Sequence, residues 1–155
     1  MTGPKGFADL QTPRHLLGKL RHDRARMNAD PNDICAAFDF FVTADHILDW
    51  LYPDAPSASQ RQKRQDHRNR ERLLQIASHV ANGAKHFETV APHHSSVADL
   101  SLEQGAFDPR AFSPRAFSPS AFSMPGVHIR LDDGKLVHAF PLADDIIEYW
   151  ERELP

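Results

Sequence analysis

At 155 residues, with 41% hydrophobic and 25% charged side chains, the chain has material for one packed domain and little room for a second core. The net charge of −3 makes no general case for nucleic-acid binding, and a lone cysteine, Cys35, excludes an internal disulfide and points to a reducing compartment. No stretch reaches the roughly eighteen apolar residues of a spanning helix, and residues 1–20 lack the apolar run of a secretory signal, so the expected location is cytoplasmic, with no membrane partner.

Residues 1–11 read as a loose arm interrupted by Gly3, Pro4 and Gly6. Thr12-Pro13 is a helix start, a hydroxyl cap before a proline whose missing N–H costs nothing there. Leu16, Leu17, Leu20 and Met27 give this helix, 13–28, one apolar edge. Asp30-Pro31 repeats the start signal for a helix over 34–52. Ile34, Phe38, Phe41, Leu48 and Tyr52, widened by Ala37, Phe40, Ile47 and Leu51, predict a central buried element with Cys35 packed inside it.

Ser57 or Ser59 caps a third helix expected to run to about Phe87, basic in its first half, apolar-striped in its second and interrupted by Gly83. Residues 97–102 read as a short helix. A period-five repeat then occupies 106–125: AFDPR, AFSPR, AFSPS, AFSMP. Alternating residues at 127–131 and 135–140 around Asp132-Asp133-Gly134 predict a hairpin, and a closing helix spans 142–154. The fold class is mainly α, an antiparallel helical bundle (1–105) and a repeat connector (106–125). A C-terminal β-hairpin and terminal helix (126–155) complete it, packed on the bundle.

Two polar stripes cross these apolar helices. Asp39, Thr43, His46 and Asp49 share a face of the second helix, and Arg72, His79, Asn82 and His86 share one of the third. A polar residue on such a face ordinarily bonds a neighbour and fixes register. If the two stripes met, a histidine beside a carboxylate or an arginine would be poised to exchange protons. The ligand types for a metal are present, but without a His-Glu-x-x-His or Cys-x-x-Cys spacing, so no metal or other cofactor is expected. Six cations stand between 61 and 72 against Asp66 and Glu71, a local net of +4. Arg61, Lys63, Arg64, Arg68 and Arg70 are the candidate phosphate contacts for RNA; a solvated helix surface is the bland alternative.

The strings AFDFFVTADHILDWLYP (37–53) and LQIASHVANGAKHF (74–87) resemble a scattered group of uncharacterised small bacterial proteins, and their helical hairpin is distantly similar to HEPN domains. That family carries an arginine and then a histidine with four to six residues between them; Arg72 and His79, with six between, fit the spacing, as do Arg61 and His67, with five. Leu73 stands where the family has asparagine, and His86 has no arginine at the required distance. The resemblance implies metal-independent RNA cleavage or RNA binding in a defence or toxin-type system. His79 would move the proton and Arg72 steady the phosphate, with His86 and Asn82 supporting and Asp49 or Asp39 orienting His46. Such sites are commonly completed across a dimer.

The repeat supports a different class of function. A period of five alternates sides on a strand and forms no stripe on a helix, and Pro109, Pro114 and Pro119 favour turns. Each unit presents one aromatic: Phe107, Phe112, Phe117 or Phe122. Exposed, these four would make the protein a non-catalytic interaction module or oligomeric scaffold, assembling through the repeat.

Overall fold

A computed structural model describes residues 5–85, 96–103 and 125–155. Among these residues, five helices and a small three-stranded antiparallel sheet form a mainly helical fold that ends in a C-terminal helix. The four phenylalanines of the repeat and His86 lie outside the described residues.

Helix α1 (Pro13–Ala29) begins as its sequence dictates: the Thr12 hydroxyl accepts from the His15 N–H at 3.2 Å, with proline in the first turn. Helix α2 (Ile34–Leu51) begins at Ile34, where the sequence places it, three residues after Pro31. Asp30 instead takes the Asn32 N–H, and Asp33 caps the helix by accepting from Cys35 and Ala36 at 3.0 and 3.1 Å. One carboxylate satisfying two orphan amides outcompetes the earlier proline. Ile34, Cys35 and Phe38 lie on the outer side of this helix, so Cys35 is exposed, not packed, while Phe40, Phe41, Ile47 and Leu48 fill the core.

The expected third helix is two, α3 (Ala58–Arg70) and α4 (Arg72–Lys85), parted by Glu71 in an extended conformation. The Glu71 N–H closes α3 on the His67 carbonyl, and its own carbonyl opens α4 by accepting from Leu74 and Gln75. The break lets the polar α3, which buries only His67, diverge from α4, which buries Leu74, Ile76, Ala77 and Ala81.

Residues 97–102, expected as a helix, belong to strand β1 (Val97–Glu103). β1 pairs with β2 (Gly126–Leu131) from Val97↔Leu131 to Glu103↔Gly126, with a bulge between Val97 and Asp99. Leu100 and Leu102 alternate in step with Ile129 and Val127, a period-two pattern that only the partner strand makes decisive. β3 is short (Leu136–His138), joined to β2 through Asp132-Asp133-Gly134, where Gly134 takes φ +81°. Helix α5 (Ala139–Glu153) starts three residues before the expected 142, because the His138 ring nitrogen Nδ1 caps it by accepting from the Phe140 N–H at 3.1 Å. Pro141 then sits in the first turn, where no intrahelical N–H is needed. Trp150, Ile146 and Ile129 join Phe40, Phe41 and Leu17 in one core.

Candidate functional site

The proposed catalytic stripe on α4 divides between two environments. Arg72, half exposed, donates to Asp132 and Asp133 at 2.9 and 3.1 Å, pinning the β2–β3 turn. The Lys135 backbone N–H, with Arg72 beside it, holds the Asp133 carboxyl below its ordinary value. Two turns on, His79 is only 8% exposed, and its Nδ1 accepts from the Val97 N–H at 3.0 Å, where β1 begins. Burial pushes this imidazole below its ordinary pKa, so it is held neutral. Asn82 donates to the Ser78 carbonyl.

The α2 stripe turns elsewhere. His46 is exposed on the outer surface, Thr43 is buried, and Asp49 lies 3.8 Å from Arg64 of α3. Asp39 accepts from Arg26 at 2.7 Å, and this hydrogen bond, with Asp33 and Asp23 nearby, raises the guanidinium's pKa. The α4 stripe therefore serves the sheet, whereas the α2 stripe serves α1 and α3. Helical periodicity groups residues on a face without saying which neighbour that face meets.

The basic ridge of α3 is largely committed to the fold. Arg61 donates to the Ala55 and Pro56 carbonyls, Arg64 to the Tyr52 carbonyl, and Arg68 to Asp45 at 3.2 Å. Arg70 reaches only the Asp66 carbonyl, through Nε at 3.4 Å, and Lys63 lies 5.9 Å over the Tyr52 ring. These last two flank an opening of about 400 Å³ whose lining includes Tyr52, His67 and Asn69.

His67 forms a junction that its spacing from Arg61 did not reveal. It is 7% exposed, with Nε2 at 3.0 Å from the Tyr52 hydroxyl and Nδ1 at 2.7 Å from that of Tyr149. A neutral ring satisfies both phenols, accepting from one and donating to the other. Burial first, and then Arg70, depress its pKa, while burial pushes the Tyr149 phenol up to about 12.

A second opening, of about 350 Å³, lies between α2, α4 and the sheet. Ile34 and Phe38 of α2, Val80 and Gly83 of α4, and Leu100 and Leu102 of β1 line it; among the described residues that do so, none is charged. Ile34 is 58% and Phe38 50% exposed. Sequence reasoning missed this groove because it placed Ile34 and Phe38 in the core stripe and read β1 as a helix.

Among the described residues, no three His, Cys, Asp or Glu side chains gather as a metal would require, and no helix is long and apolar enough to cross a membrane. No protein-family model, curated protein or solved structure matches the chain.

Proposed function

We propose that this protein is a non-catalytic interaction module that assembles through exposed apolar surface. The groove between α2, α4 and β1 serves as one contact, and the aromatic repeat at 106–125 supplies another. The observation that carries this reading is the concentration of Ile34, Phe38, Leu100 and Leu102, all exposed, around one opening with no charge among the described residues that line it. Apolar surface gathered in this way marks interaction sites, whereas singly scattered apolar residues do not. The polar stripes support the same reading. His79 is buried on a backbone amide and Arg72 is spent on two aspartates, so each serves architecture where the proton-transfer reading wants an open pair. Sedimentation velocity over a wide concentration range tests it: the full chain associates, and deleting 106–125 lowers the assembly state while the circular-dichroism spectrum keeps its helical shape. A chain monomeric at every concentration overturns the reading.

One observation favours the second reading, an RNA-directed module related to the HEPN resemblance. Lys63 and Arg70, neither in an ion pair among the described residues, border an opening that Tyr52 and Asp66 also line, and cations beside an aromatic face suit a phosphate and its base. Fluorescence anisotropy with a short single-stranded RNA would show binding that falls with salt and with Lys63→Glu. Salt-independent binding, or none, ends that reading.

A further inference from the structure

We propose that His138 is a proton-operated latch on Pro125, the residue at which the period-five repeat ends. Its neutral ring fastens Pro125 to the first turn of α5, and acidification releases that hold. One imidazole makes both connections. Nδ1 accepts from the Phe140 N–H at 3.1 Å, and Nε2 lies 3.0 Å from the Pro125 carbonyl oxygen. A carbonyl oxygen can only accept, so Nε2 carries the proton and Nδ1 carries none. The seat is closely fitted around that ring. Gly126 takes φ +120°, and a Cβ there would come within 3.4 Å of the ring's Cε1 and of the Pro31 carbonyl oxygen. The cross-strand partner His128 and the Phe140 ring stand beside it, with centroids at 4.7 and 4.8 Å.

A second proton on this ring must go to Nδ1, where it meets the Phe140 N–H donor to donor. The charge also falls at the N-terminus of α5, the positive end of the helix dipole. The ring escapes both by turning out of its seat, and the bond to Pro125 goes with it. The groups around it do not offset the charge. From β2 it faces His128, 4% exposed, where a second imidazolium would add like charge. From α1, Arg24 stands 4.8 Å over the Phe140 ring, paired with Asp144 of α5 at 2.8 Å. Among the described residues, no carboxylate bonds to His138. The caps of α1, α2 and α3 are the Thr12 hydroxyl, the Asp33 carboxylate and the Ser57 hydroxyl. Only α5 is capped by histidine, the side chain that gains its proton in mildly acidic solution.

NMR on the full chain tests the latch from about pH 7.5 down to about pH 5. At the upper end, long-range proton–nitrogen correlation shows the Nε2–H tautomer of His138. On acidification the Phe140 amide and the Pro125 carbonyl shift with one common midpoint. Exchange of the Phe140 amide, corrected for its intrinsic pH dependence, quickens by about tenfold or more as the cap is lost. Ile146, buried in the middle of the same helix, keeps its protection, which separates release of the latch from unfolding through the buried His67 and His79. In His138→Asn, whose amide caps a helix without titrating, the Phe140 response is flat. Separate midpoints for Phe140 and Pro125, an Nδ1–H tautomer at neutral pH, or an unchanged Phe140 response in His138→Asn overturns the inference. So does protection lost at Phe140 and Ile146 together. The wild-type midpoints and tautomer decide the matter even where the variant fails to fold.

Discussion

The hydroxyl of Tyr149 meets the imidazole of His67 at 2.7 Å across 82 positions of sequence, and the same ring reaches Tyr52 on its other edge. Three helix segments are thereby joined at one side chain: the C-cap of α2, the last turns of α3 and the end of α5. Trp150 lies beside the ring at 6.1 Å, so the junction is closed on its inner side by the core.

Tyr149→Phe removes one hydroxyl and leaves a buried ring nitrogen without its partner. The expected cost is about 1–3 kcal/mol, the penalty for a buried polar atom left unpaired. Urea denaturation measures it. His67→Phe, which removes the polar ring from both phenols, costs at least as much, because two hydroxyls then lose their partner.

Stability falls on the acid side. Burial lowers the pKa of both His67 and His79 below the ordinary 6.5, so the unfolded chain binds protons that the folded chain refuses. Stability from these two groups is complete above about 6.5 and is lost as pH drops from there through the depressed folded values. Thermal melts at neutral and mildly acidic pH show the loss, and replacing both histidines with glutamine flattens it. A melting temperature that rises on acidification contradicts the assignment.

Two glycines respond in opposite senses to alanine. Gly83→Ala puts a methyl in open space within a helix and stabilises by up to about 1 kcal/mol. Gly134→Ala also meets nothing within 4 Å, yet its φ of +81° is strained for any side chain, so the hairpin turn weakens by about 1 kcal/mol or more. Chemical denaturation of the pair distinguishes backbone strain from crowding.

His79→Ala separates the two functional readings. In the interaction module, neither wild type nor variant cleaves RNA, and the loss of the acceptor for the Val97 N–H costs about 1–3 kcal/mol. In the RNA-directed module, cleavage disappears while the helical spectrum is intact. Arg72→Ala is a useful companion: its ion pairs are half exposed, so the change in stability is under about 1 kcal/mol.

What the sequence reveals is decided by the reach of each signal. Thr12-Pro13 and Asp132-Asp133-Gly134 are legible because their own atoms settle the local conformation. The strand at Val97–Glu103 is illegible alone, since its alternation acquires meaning only beside Ile129 and Val127. No glycine or proline announces the break at Glu71; it follows from the separate docking of a polar and an apolar helix. The candidate sites divide in the same way. His79 and Arg72 are visible as a helical pair, but their partners Val97, Asp132 and Asp133 come from elsewhere in the chain. The groove escapes detection because Ile34 and Phe38 carry the same periodicity as the buried residues beside them, and periodicity does not say where the edge of an apolar stripe leaves the core.

The pairing of Glu103 with Gly126 has an evolutionary consequence. Neighbouring strands hold both ends of the intervening stretch, so tandem units can be gained or lost by replication slippage without disturbing the register that fixes those ends. Doubling such a connection costs only about 0.6 kcal/mol in closure entropy. Under the interaction-module proposal, copy number at that point would set how many aromatics the chain offers, with the strand register on either side left as it is.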